Sequence, residues 1–299
     1  MKSLFLFLLL CLPAQAQMAY PTVYQGEVPI DSDDADLKGL KWHKWSTQNF
    51  TILSISDAQG DFLAKNIEEI KGWCLSRWGI PVNEANNFKF SAEARMFCVP
   101  TKALMQKLLK LDRSRVEIKR RGKIEISIAW LLLDDIPLKT VPIPITEICL
   151  AEMAQKYNNK LSFCLLRGMC LLNGTAGQVR VELATLAKTK KFYLSEDMFK
   201  MTLEQWNKLP QEDRGTYDGE CVVLCLLLRK EFGETKFHQF LSLESKNQTP
   251  ETILKSVYEF RDYKQFDASF TRYTRDLCSD IVSGKTPDSY LEIKAKESK

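Results

Sequence analysis

Two histidines, nine cysteines and scattered carboxylates are the groups in this 299-residue chain that could carry chemistry. His43 lies in "KWHKW" and His238 in "TKFHQF", beside Phe237 and Phe240. Each is alone in its stretch and reads as an ordinary surface or packing residue. A cysteine nucleophile with His238 as its base has four candidates, Cys164, Cys170, Cys221 and Cys225. All four sit in apolar runs, where a thiol packs as a small hydrophobe. Cys221 and Cys225, four apart, share a helix face, but no CxxC pair or His-rich cluster offers the further ligands a metal needs. Asp134-Asp135 reads as a turn, and no Gly-rich phosphate loop is present. "RGMCLLNGTAG" ends its helix at Asn173-Gly174, a C-terminal cap.

The elements that must position these groups belong to a chain with ample material for a core. Hydrophobic residues make up 45% and charged residues 27%, with a formal net charge of +4, so neither disorder nor nucleic-acid binding is signalled. The start, MKSLFLFLLLCLPAQAQ, joins a lysine, a short apolar run and Ala14-Gln15-Ala16. This is the pattern of a secretory signal peptide over residues 1–16, and it predicts an exported, periplasmic or extracellular protein. A lipid anchor through Cys11 is the alternative, but Leu10 stands where a small residue is usual. The run is too short for a lasting membrane anchor, and no later segment reads as transmembrane. Removing Lys2 lowers the charge to +3, and removing Cys11 leaves eight cysteines, an even number that permits disulfides. Buried free thiols are the plainer reading for Cys149, Cys164, Cys170, Cys221 and Cys225, and Cys74 with Cys98 is the least implausible bridge.

Residues 17–40 are polar and acidic at "DSDDAD" and read as an extended segment. A strand follows at Phe50–Ser54. Next comes an amphipathic helix whose Phe62, Leu63, Ile67, Ile70, Trp73, Cys74 and Trp78 recur at three- and four-residue steps, stopped by Gly79 and Pro81. "FKFSAEARMFCVP" is a second strand and "TKALMQKLLKL" a short helix. "RVEIKRRGKIEISIAWLLLDD" alternates on both sides of "KRRG" and predicts a β-hairpin. Its basic tip, Lys119 to Lys123, reads as a solvated, aggregation-resistant end. "PLKTVPIP", with Pro137, Pro142 and Pro144, reads as a linker. Helices are then predicted at 145–157, 161–173, 177–188, 217–232, 234–245, 249–259 and 263–281. Strands first and helices last make an α+β layout. The aromatic residues Trp42, Trp45, Trp73 and Trp78 read mainly as core.

The order of these elements over residues 45–281 resembles that of the gluzincin zinc metallopeptidases, most closely the peptidase-MA-like exported proteins of bacteria. That order is strand, long helix, strand, hairpin with an edge strand, two ligand-bearing helices and a helical C-terminal lobe. Ile126 to Leu133 matches the family's hydrophobic-Trp-hydrophobic edge strand. Phe163-Cys164-Leu165-Leu166-Arg167-Gly168-Met169-Cys170 matches the second-helix run, and Tyr217 to Gly233 a later helix. The resemblance implies a zincin-like fold: an antiparallel or mixed N-terminal sheet with helices, then a mainly helical lobe. It divides the mature chain at 17–40, 41–175 and 176–285, with a flexible tail at 286–299.

In the family a His-Glu-x-x-His helix gives two zinc ligands and a general base, and a Glu of the next helix gives the third ligand. Here that slot reads Thr146-Glu147-Ile148-Cys149-Leu150, and the third-ligand position is Arg167. Only the general-base position, Glu147, keeps its residue. Leu has no donor atom, and Arg brings a positive charge to the metal's place, so no zinc cofactor is expected. A lone Glu147 cannot activate water without a Lewis acid. The resemblance therefore implies a pseudo-peptidase, with a Glu147–Arg167 ion pair expected to replace the metal. The inherited cleft, lined by Trp130 and Tyr217, would hold a peptide or protein partner. The alternatives are a hydrolase with a relocated metal or nucleophile, and a structural envelope component. Oligomeric state is not legible.

Overall fold

The computed structural model describes residues 22–28, 40–80, 82–109, 114–121, 124–133, 141–157, 161–189 and 192–292. The signal peptide expected at 1–16, most of 17–40, the tip residues Gly122 and Lys123, and Asp134-Asp135 lie outside them. The chain is α+β, with a six-stranded mixed sheet followed by a mostly helical region. The strands are β1 (Val23–Val28), β2 (Trp42–Ser46), β3 (Phe50–Ser54), β4 (Ala94–Val99), β5 (Arg115–Arg121) and β6 (Ile124–Leu132). Their spatial order is β1-β2-β3-β4-β6-β5. β3, β4 and β6 run parallel, with antiparallel β5 at one edge and the antiparallel pair β1 and β2 at the other.

Alternation along the strands assigns the two faces. Phe50, Ile52, Ala94, Met96, Cys98, Ala129 and Leu131 face α1 (Asp57–Ser76). Leu53, Phe97 and Val99 face the opposite way, against Met105 and Leu108 of α3 (Lys102–Leu109). A sheet covered on both sides needs strands apolar on both faces, and β3 is buried at every residue. α2 (Val82–Asn87) packs beside α1. The Ser56 hydroxyl caps α1 by accepting from the Gln59 N–H at 3.4 Å.

α1 also carries an ion pair that its apolar periodicity conceals. Glu68 and Lys71, both essentially unexposed, meet at 3.0 Å. Glu68 accepts from the Thr47 hydroxyl, the Asn49 N–H and the Asn49 amide, each at 2.7 Å, and so fixes the turn between β2 and β3. Lys71 donates to the Phe88 carbonyl at 2.7 Å. Burial is tolerable because every charge is paired and bonded.

Three expectations change here. β6, which holds Ile126 to Leu133 apart from its last residue, is an internal strand; the edge is β5. Pro142 and Pro144 belong to a helix, α4 (Pro142–Tyr157), rather than to a linker. The first turn of a helix needs no N–H from those positions. β1 extends the sheet into the 17–40 stretch that reads as a polar lead-in, and β2 adds a strand ahead of Phe50–Ser54; both alternate too briefly to stand out.

Beyond the sheet lie α5 (Phe163–Leu172), α6 (Ala176–Leu186), α7 (Ser195–Lys200), α8 (Leu203–Lys208) and α9 (Gln211–Leu226). α9 runs into a π-turn at Leu227–Glu231. α10 (Glu234–Ser245), α11 (Pro250–Tyr258), α12 (Tyr263–Val282) and α13 (Asp288–Leu291) complete the chain. α9 is the central helix: residues 216–226 are all buried, the acids Asp218 and Glu220 among them. Gly168 of α5 lets it approach closely; a Cβ there would lie 2.3 Å from the Cys221 carbonyl oxygen. α5 is therefore part of the helical core. Within the expected tail, α13 buries Leu291, and Arg180 bonds Asp288 at 2.7 Å.

The two halves interlock at the end of α1. Gly79 has a φ of +89°, and a Cβ there would meet His238 Cε1 at 1.7 Å. Arg229 donates to the Arg77 carbonyl at 2.7 Å, binds Glu234 through two N–H groups and lies over the Trp78 ring. Among the described residues no helix is long and apolar enough to cross a membrane.

Candidate functional site

α4 and α5 bring the expected site residues together. Thr146 and Leu150, one turn apart, are both buried, and Leu150 packs in the core shared with α5. Thr146 Oγ1 donates to the Pro142 carbonyl at 2.7 Å and accepts from Asn173 Nδ2 at 2.6 Å. Asn173 ends α5 and also donates to the Cys74 carbonyl at 3.3 Å. One small polar group therefore ties α1, α4 and α5 where the resemblance puts a metal ligand.

Arg167 departs from the expected pairing. Its guanidinium clamps Asp218 of α9, Nε to Oδ1 at 3.0 Å and an Nη to Oδ2 at 2.6 Å. Asp218 Oδ1 also accepts from Trp206 Nε1 at 3.0 Å, and the Arg167 guanidinium lies 4.9 Å from the Trp206 ring centroid. Two parallel N–H···O bonds to one carboxylate are the geometry arginine forms best. Glu147 is half-buried and forms no hydrogen bond or ion pair with another described residue. The expected Glu147–Arg167 ion pair is thus replaced by Arg167–Asp218. Asp218 offers both oxygens to the fork from a facing helix, and Glu147 stands by as an electrostatic neighbour.

The electrostatics agree. Burial pushes the Glu147 carboxyl up; Arg167 opposes this and Asp218 adds to it. Burial works against the charge of Arg167, but Asp218, by attraction and hydrogen bonding, holds the guanidinium above its ordinary range. The three expected ligand positions do not fit zinc. Thr146 has its hydroxyl engaged in both directions, Leu150 has no donor and Arg167 is a paired cation.

The two expected cleft residues lie elsewhere. Trp130 alternates onto the α3 side of the sheet, stacked on Phe97 at 4.3 Å, and so faces away from α4. Tyr217 is fully buried; its hydroxyl donates to the Met198 carbonyl at 3.1 Å and its ring stacks on Phe163. Sequence reasoning missed Asp218 and Trp206. The available signal was an acid directly after Tyr217, at the start of the buried stretch of its helix.

The competing chemistry gains no geometry. All eight described cysteines are buried and free, Cys74 and Cys98 included, so the bridge between them is absent. Burial raises the thiols of Cys164, Cys170, Cys221 and Cys225, and a thiol held protonated is a weak nucleophile. His238 packs on the Gly79 backbone, and His43 accepts or donates to the Tyr24 hydroxyl at 2.9 Å. Among the described residues, His, Cys, Asp and Glu side chains do not gather in threes as a metal site requires. Compared with family models, curated proteins and solved structures, the chain finds no match in any of the three.

Proposed function

We propose that this is an exported, gluzincin-like pseudo-peptidase that binds a peptide or protein without cleaving it. The observation that carries the reading is the Arg167–Asp218 clamp at the third-ligand position, beside a Thr146 and a Leu150 at the two histidine positions. The element order supports it as well: β3, α1, β4, the β5–β6 hairpin with β5 as its edge, then α4, α5 and a helical remainder. A partner segment would add to the sheet as a strand beside β5, which among the described residues pairs with β6 alone; such addition needs only backbone hydrogen bonds. Metal content after zinc loading, together with turnover of a quenched fluorescent peptide library, tests the proposal. The expected result is less than stoichiometric zinc and no turnover. Turnover that disappears in Glu147→Gln would overturn it.

A further inference from the structure

An open groove of about 500 Å³ lies on the helical half, around the π-turn that ends α9. Its apolar surface comes from Phe232, Tyr258, Phe260 and Tyr273. Its charged residues are Glu231, Glu259 and Asp276, against one cation, Arg272. Two local departures from regular helix shape it. The Phe232 N–H reaches back to the Leu227 carbonyl at 3.3 Å, the wide π spacing, and such turns recur at functional sites. Glu259 adopts a left-handed conformation, φ +66°, as the chain leaves α11.

The chain itself ends its described course at this groove. Tyr290 of α13 donates to Glu231 at 2.9 Å and bonds the hydroxyl of Tyr273, both of them groove residues. Lys230 donates to the Glu292 carbonyl at 3.2 Å. The next residues, Ile293-Lys294-Ala295-Lys296-Glu297-Ser298-Lys299, lie outside the described residues. They carry three lysines and one glutamate, while the groove carries three acids and one arginine: +2 against −2. Seven extended residues reach about 23 Å, ample to cross it. Lysines over aromatic faces beside carboxylates gain both cation–π and Coulomb attraction.

We propose that residues 293–299 occupy this groove in cis, with Ile293 on its aromatic surface and Lys294 and Lys296 at Glu231, Glu259 and Asp276. The test uses a fluorescent synthetic peptide of residues 292–299, titrated by anisotropy against the intact chain and against a chain ending at Glu292. The shortened chain should bind it saturably, and the intact chain about tenfold more weakly. A tether this short gives an effective concentration on the order of 1 mM, which outcompetes a peptide of Kd about 0.1 mM. Lys294→Glu with Lys296→Glu in the peptide should remove binding. In the intact chain, carbodiimide coupling should join Lys294 or Lys296 to Glu231, Glu259 or Asp276 within one molecule. The surface pairs Lys208–Glu204 and Lys255–Glu251, at 2.7 and 2.8 Å, serve as internal controls. No peptide binding, equal binding to both chains, or coupling only between two copies overturns the proposal.

Discussion

Asp218→Asn is the sharpest probe of the Arg167–Asp218 clamp. The substitution keeps an oxygen for Trp206 Nε1 but removes the charge that Arg167 grips. It also turns an amide nitrogen toward one arm of the guanidinium. The pair is shielded from solvent, with the Arg167 side chain 15% exposed and that of Asp218 6%, so the small energies of surface ion pairs do not apply. Breaking a buried pair from one side costs about 3–5 kcal/mol, because the remaining charge stays buried without its partner. That is a large share of a total stability of about 5–15 kcal/mol. Guanidinium unfolding followed by tryptophan fluorescence measures it, and Trp206, which touches both partners, reports locally. Glu147→Gln should act in the opposite sense. Burial raises the Glu147 carboxyl, so ionising it opposes folding, and an uncharged amide leaves stability unchanged or higher at pH 8. In an Arg167→Met background, Asp218→Asn should lose about 2 kcal/mol or more of its effect, and Glu147→Gln about 0.5 kcal/mol or less. If Glu147→Gln destabilises as much as Asp218→Asn, or couples to Arg167 as strongly, the assignment of Asp218 as the partner is refuted.

Three further outcomes follow from other parts of the structure. Burial raises Glu244 to about 7, against its bonds from Ser162, and raises Glu220 to about 8, against the Tyr193 N–H. Acids with raised folded values stabilise the fold fully below their ordinary 4.5 and lose that contribution as pH rises through 7 and then 8. The unfolding free energy should therefore fall between pH 5 and pH 8.5, by on the order of 3 kcal/mol per group, and Glu244→Gln with Glu220→Gln should flatten the profile. Thr146→Val should cost about 1–3 kcal/mol by leaving Asn173 Nδ2 with the Cys74 carbonyl alone; a thermal midpoint unchanged from wild type would show that this bond does not hold α4 to α5. Gly79→Ala should destabilise by more than about 1 kcal/mol, from its positive φ and its collision with His238. His238→Ala should rescue the collision but not the φ, so complete rescue in the double variant contradicts the backbone argument.

The longer helices and the strands β3 to β6 were legible because their signals are local. The apolar spacing of α1 places the element that packs under the sheet, and the alternation on either side of "KRRG" places the β5–β6 hairpin. Thr249-Pro250-Glu251 marks the start of α11, where the Thr249 hydroxyl does accept from the Thr252 N–H at 3.3 Å. Local signals fail where a polar residue is buried for a distant partner. Glu68 and Lys71 interrupt no periodicity, and their partners lie in a turn and a loop 17 to 21 residues away. β1 lies in the stretch read as a lead-in because an edge strand exposed along most of its length carries little apolar alternation.

The side chains at 146, 150 and 167 are given by the sequence alone, and none of Thr, Leu and Arg is an ordinary zinc ligand wherever the chain folds. Which anion meets Arg167 was decided only by the tertiary structure. Glu147 is nearer along the chain, but Asp218, 51 residues beyond Arg167, arrives on a helix that Gly168 and Cys221 bring into contact. The sheet face taken by Trp130 and the burial of Tyr217 were settled in the same way, by alternation and packing against elements remote in sequence. A guanidinium fork selects the carboxylate whose two oxygens face it squarely, and that orientation exists only once three helices have packed.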